Sequence, residues 1–68
     1  MIKEHEIVVL KTAVPSEGLE PGDVGTVVHV YSNGQAYEVE FPASDGKSVA
    51  VVTLESSQVR FAGESVIK

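Results

Sequence analysis

LEPGDVGTVVHVYSNGQAYEVEF, residues 19–41, decides the fold. Within it stand Pro21-Gly22, a further glycine at Gly25, a valine-rich run, an Asn33-Gly34 step and a strict alternation that ends in Phe41. Pro21-Gly22 fits the central positions of a type II turn, where proline presets the first φ and glycine takes the positive φ of the second. Asp23, next in line, is placed to bond local amides in an Asx-type turn. A strand is predicted from Val24 to Tyr31. Gly25 near its start permits a bulge or the close approach of another backbone, as a small barrel needs where a strand bends round a corner. Asn33-Gly34 suits a type I′ hairpin turn because both residues tolerate positive φ. In the strand that follows, Gln35 to Phe41, alternation turns Tyr37, Val39 and Phe41 to a core and Glu38 and Glu40 to the opposite face.

Outward from this stretch, the chain continues in the same style. Glu6 to Lys11 is a short apolar run bounded by charge, and reads as the first strand. The connection Thr12 to Asp23 contains Pro15, Gly18, Pro21 and Gly22, so it is shaped rather than slack. Pro42 to Lys47 carries the turn signal Asp45-Gly46 and leads into a strand from Ser48 to Leu54. There Ala50, Val52 and Leu54 form one face and Val49, Val51 and Thr53 the other, both apolar enough to be covered. Glu55 to Gln58 reads as a tight 3₁₀ turn whose serines can bond nearby amides. A last strand, Val59 to Phe61, precedes a tail, residues 62–68, in which Val66 and Ile67 could add to a sheet edge. No window sustains apolar residues at helical spacing, and neither a repeat nor a linker interrupts the chain. The expectation is all-β: a single domain over residues 1–68, with its core at about 5–61, folded as a small SH3-like barrel of about five short antiparallel strands.

Composition narrows the function. At 68 residues the chain is near the lower size at which one core is sufficient, and a partner would help it. It has no cysteine, so packing and strand hydrogen bonds must supply its stability, of the order of 5 kcal/mol. Ten acidic residues against five basic ones give a net charge of −5, the wrong sign for gripping a phosphate backbone. The basic residues Lys3, Lys11, Lys47, Arg60 and Lys68 fall in different elements instead of forming a stripe. The start, MIKEHEIVVLK, sets Lys3, Glu4, His5 and Glu6 before only four apolar residues, too short and too acidic for a signal peptide or membrane span, which points to the cytoplasm.

Gly22 to Val28, GDVGTVV, with YEVEF at Tyr37 to Phe41 and a valine-rich strand ending Thr53-Leu54, resembles the small bacterial family catalogued as domain of unknown function 4926. The resemblance covers roughly residues 5 to 61. It implies an SH3-like fold and, by the family's name, no established activity. A broader likeness exists to the ribosome-associated KOW motif, whose Gly-x-x-Gly-x-Val pattern is matched by Gly22, Gly25 and Val27. The basic residues that KOW proteins bring to RNA are missing here.

No constellation calls for catalysis. Gly22 to Gly25 could present amides to an anion, but Asp23 would repel it and no P-loop or Rossmann spacing follows. Glu38 and Glu40 lie on the solvated side of an amphipathic strand, not across a cleft. His5 and His29 are the only histidines, with no further ligands tied to them, and His29 points opposite to both Val28 and Val30. The seven serines lack a histidine-carboxylate partner. Tyr37 and Phe41 belong to the core, leaving Tyr31 as the sole exposed ring, too few for an aromatic cage or a proline-peptide groove. The expectation is therefore a protein with no enzymatic activity, no cofactor, no metal and no small-molecule substrate.

One surplus remains. Val49 and Val51, with Val27 and Tyr31, exceed what a single core can hide. Either strong coiling buries both faces, or a patch bounded by Glu38, Glu40 and Glu55 is left for another protein. The expected role is a protein-interaction module that binds itself or a neighbouring gene's product, with antitoxin- or immunity-like neutralisation of a basic enzyme as one form. The alternative is an RNA- or ribosome-associated barrel of the KOW kind.

Overall fold

The computed structural model describes residues 2–43 and 48–63. Five strands follow in order: β1 Ile7–Leu10, β2 Val24–Tyr31, β3 Ala36–Pro42, β4 Val49–Glu55 and β5 Val59–Gly63. Two single 3₁₀ turns, Pro15–Glu17 and Ser56–Gln58, complete the regular structure. All strand pairs are antiparallel, in one sheet ordered β4-β3-β2-β1-β5. The chain thus runs as a four-strand meander whose fifth strand returns beside the first, the curled SH3-like arrangement. Among the described residues no ladder joins β4 to β5, so the curl is open and has two edges.

The core gathers the inward side of every strand: Val8, Leu10, Val27, Tyr37, Val39, Phe41, Val52, Leu54 and Val59, with Leu19 from the long loop. No buried side-chain nitrogen or oxygen among the described residues lacks a hydrogen bond, so burial carries no polar penalty there. Gly25 makes this packing possible. A Cβ at that position would stand 2.7 Å from Val39 Cγ1 and 2.9 Å from both the Glu40 carbonyl and Phe41 Cδ1. Of the two roles its sequence position allows, close approach is the one it fills.

The connection before β2 is shaped by its breakers. Gly22 has φ +98°, and the Asp23 amide donates to the Glu20 carbonyl at 3.1 Å, which makes Glu20 to Asp23 the expected type II turn. Asp23 bonds a local amide in the reverse direction to an Asx turn: its Oδ2 accepts from the Glu20 amide, three residues back, at 3.0 Å. Upstream, Val14 and Leu19 exchange backbone bonds around the Pro15–Glu17 turn, which ends at Gly18 in the left-handed region. That lock carries Leu19 into the core.

The hairpin after β2 is one residue out of step with its sequence signal. Ser32, Asn33 and Gly34 all have positive φ, and the Gly34 amide donates to the Tyr31 carbonyl at 2.9 Å. The two residues inside that bond are Ser32 and Asn33, so the I′-like turn centres there, with Gly34 as an added left-handed residue before β3. The 3₁₀ turn after β4 is likewise closed differently. Gln58 Oε1, not a serine, accepts the Glu55 amide at 2.8 Å. Strand ends otherwise agree with expectation to within about two residues, an ordinary margin. Residues 62 and 63 extend β5. The turn signal Asp45-Gly46 and the segment containing Val66 and Ile67 lie outside the described residues.

A bulge in β2 is the main departure. The β2–β3 register passes from Val27↔Val39 to His29↔Glu38, leaving Val28 unpaired. On the other side of β2 the His5 amide donates to the Val27 carbonyl at 2.7 Å, and Val27 returns a bond to the Glu6 carbonyl at 3.0 Å. The extra residue reverses the alternation. Val27, expected among the surplus, is fully buried, whereas Val28 is 39% exposed beside an exposed His29. Those two neighbours share the solvent side instead of facing apart.

Candidate functional site

The outer face of β2, β3 and β4 brings together all five residues that the sequence marked as an interaction surface. Val51 lies opposite Glu40 across the β3–β4 ladder, and Glu40 lies opposite Thr26 on β2. One row further along, Thr53 faces Glu38, which faces His29. Val49 sits beside Pro42 at the end of the strand. Because inward positions on β4 serve the core, Val49 and Val51 stay 56% and 52% exposed. Local coiling therefore does not cover the second face of this strand; the patch is open.

Polar atoms on this face are organised around Glu38. Its Oε2 accepts from the Tyr31 hydroxyl at 2.6 Å and from Thr53 Oγ1 at 3.0 Å, so one carboxylate ties β2, β3 and β4 together. The Tyr31 hydrogen bond, and then that of Thr53, hold the Glu38 carboxyl below its ordinary value. The same bond to Glu38 raises the Tyr31 phenol above its own. Tyr31 also meets the His29 ring edge-on, with centroids 4.5 Å apart. His29 Nδ1 in turn lies 3.7 Å from Glu4 Oε2, an exposed pair of the kind that contributes little to stability. Glu40 has no side-chain partner among the described residues.

Three members of this cluster were missed in the sequence: Thr53, His29 and Glu4. Thr53 meets Glu38 only through the β3–β4 register, which depends on the connection between those strands. His29 and Tyr31 take the phase of Glu38 only because of the bulge. Glu4 arrives through a backbone turn in which His5 adopts φ +75°. Phe61, not singled out as exposed, is 49% exposed. It pairs with Val8 beside the register shift that precedes the Ile7↔Gly63 pair, and lines a shallow groove with Ile2 and Tyr37.

A second groove opens beside the long loop, lined by Leu19, Val24, Phe41, Pro42 and Ala50 with Asp23 at its rim. Among the described residues its lining contains no histidine or serine. Among the described residues no three His, Cys, Asp or Glu side chains converge as metal ligands, and no helix is long and apolar enough to cross a membrane.

The family model described as Domain of unknown function (DUF4926) matches residues 4–61. The chain belongs to the DUF4926 family. The match takes in all of β1 to β4 and most of β5, including the GDVGTVV stretch that builds the type II turn and the Gly25 contact. No curated protein and no solved structure matched the chain.

Proposed function

We propose that this DUF4926 chain is a non-enzymatic protein-interaction module that docks through the outer face of β2, β3 and β4. The observation that carries this reading is the pair Val49 and Val51, each more than half exposed on a strand at the sheet's edge, beside the carboxylates of Glu38 and Glu40. Apolar side chains rimmed by one sign of charge suit a partner with an apolar centre and a basic border. The net charge of −5 extends that attraction beyond the contact itself. A basic enzyme to be neutralised, or a neighbouring gene's product to be supported, fits this description. The same carboxylates disfavour nucleic acid on this face.

The test is co-expression with the proteins encoded beside its gene, followed by purification. A stoichiometric complex that disappears when Val49→Ser and Val51→Ser are combined is the expected result. A chain that stays strictly monomeric and retains no neighbour, or a complex indifferent to the double substitution, would overturn the proposal.

A further inference from the structure

We propose that the open edge of β4 accepts an added strand: an extended segment of another protein in which Lys or Arg alternates with apolar residues. This deepens the reading of the outer face as an interaction surface and rests on it. The argument begins with ladder parity. Ala43 donates its amide to the Ser48 carbonyl at 2.9 Å, and Ser56 donates to the Gln35 carbonyl at 3.0 Å, so these two pairs are hydrogen-bonded ones at either end of an unbroken register. Antiparallel pairs alternate in type. Val49, Val51, Thr53 and Glu55 therefore occupy non-hydrogen-bonded positions, and their amides and carbonyls point away from β3. Glu55 verifies this directly, because its amide is taken by Gln58 Oε1 at 2.8 Å and not by β3.

Val49, Val51 and Thr53 thus present outward backbone donors and acceptors, and no described strand lies beyond them. An incoming strand would satisfy them as sheet edges are satisfied in strand-addition complexes. The chemistry of that strand is set by the two faces it would extend. On the outer side, Glu55 lies on β4 itself and Glu40, with no side-chain partner among the described residues, one strand further in. Lys or Arg on that side would lay its aliphatic stem over Val49 or Val51 and carry its charge to those carboxylates. On the inner side, Ala50 and Val52 are not fully covered, so an apolar residue there extends the core. A strand whose side chains alternate between faces meets both demands by alternating basic and apolar residues.

Val51→Pro separates this proposal from side-chain docking, since it deletes an outward donor while leaving every β3–β4 ladder bond in place. The ¹⁵N-labelled chain is titrated with a heptapeptide alternating lysine and valine, and with a matched glutamate–valine peptide. Saturable amide shifts centred on Val49, Val51 and Thr53 are expected with the lysine peptide, and much weaker binding with the glutamate one. Val51→Pro should weaken the lysine peptide about tenfold, the loss of one edge hydrogen bond. Glu40→Gln should weaken it about threefold, as an exposed ion pair does. N-methylating the peptide at its edge-facing amides should abolish binding, which keeps the test decisive if Val51→Pro disturbs the fold. Shifts centred elsewhere, equal binding of both peptides, or a free chain already dimeric through this edge in sedimentation would overturn strand addition. A co-purifying partner that survives Val51→Pro but is lost with Val49→Ser/Val51→Ser would refute strand addition alone, whereas survival of both variants would refute the interaction face itself.

Discussion

The sheet has two edges, and the chain treats them differently. At β5 the ladder with β1 is broken by a register shift, the strand carries Arg60, and it ends at Gly63 with φ +153°. Charge and bulge are among the usual means of blunting an edge, and the glycine ends the strand. β4 has neither bulge nor glycine, and its one charge, Glu55, stands at its last position: seven residues pair with β3 in unbroken register, and two exposed valines stand on its outer side. Among the described residues, the one outward amide of β4 that is closed off is its last, that of Glu55, by Gln58. Since one molecule contains both solutions, the open β4 edge is a property of that strand and not of small sheets in general.

The largest effect is expected from removing what anchors β4 from within. Leu54 is 1% exposed and pairs with Tyr37. Leu54→Ala should cost about 2–5 kcal/mol, the range for a buried leucine that leaves a cavity. For a chain of this size that is enough to unfold it, and thermal unfolding followed by circular dichroism would show it; a melting temperature unchanged within a few degrees would contradict the packing. Next is Gly25→Ala. Of the atoms its new Cβ would strike, the Glu40 carbonyl belongs to backbone and cannot swing aside. A cost of about 1–3 kcal/mol is expected, as for other overpacked sites. Because Gly25 pairs with Val8 on one side and packs against the neighbouring strand β3 on the other, the damage should reach both edges together, visible as faster amide exchange in β4 and β5 alike.

A matched pair of proline substitutions tests the edges against each other. The Lys11 amide donates to the Gln58 carbonyl at 2.7 Å, which by alternation makes Val9 and Arg60 a hydrogen-bonded pair. Arg60→Pro would orphan the Val9 carbonyl, at about 1–3 kcal/mol. Val51→Pro removes no ladder bond and should cost about 0.5 kcal/mol, like other surface changes. Equal destabilisation of the two variants in urea would mean that the β4 parity is wrong.

How much of this was legible beforehand follows from range. The type II turn at Pro21-Gly22, the strand spans and the core triplet Tyr37, Val39 and Phe41 depend on a few adjacent residues, and the sequence displays them directly. The phase of β2 does not. The bulge at Val28 is imposed from outside, where the N-terminal arm bonds Val27, so strict alternation put Val27 and Tyr31 on one face, whereas the extra residue between them turns Val27 inward and Tyr31 outward. The site divided in the same way. Val49, Val51, Glu38, Glu40 and Tyr31 were recognisable as chemistry out of place in a core, whereas Thr53, His29 and Glu4 join them only through register, bulge and backbone turn. The left-handed run at Ser32 to Gly34 was visible as a hairpin but not in its frame, because Asn-Gly signals positive φ without saying which bond encloses it.

The smallest expected effect concerns pH and acts on the outer face alone. Glu38 Oε2 receives the Tyr31 and Thr53 hydroxyls, and this lowers its pKa from the ordinary 4.5 while raising that of Tyr31 from 10.0. For a carboxyl whose folded value is depressed, the contribution to stability is present above the unfolded value and fades as pH falls through the folded one. For the phenol, whose folded value is raised, it is present below 10.0 and fades as pH climbs through the raised value. The link from β4 through Thr53 to β2 through Tyr31 is thus strongest between these limits. A carbon-detected titration of the Glu38 carboxyl should place its midpoint below 4.5, and Tyr31→Phe should return it most of the way, with Thr53→Val moving it less. Across the same acid range the amides of β4 should begin to exchange faster while those of β5, which has no part in this network, stay protected. If both edges loosened together, or if Glu38 titrated at its ordinary value, the carboxylate would not be what fastens the outer face of the open edge.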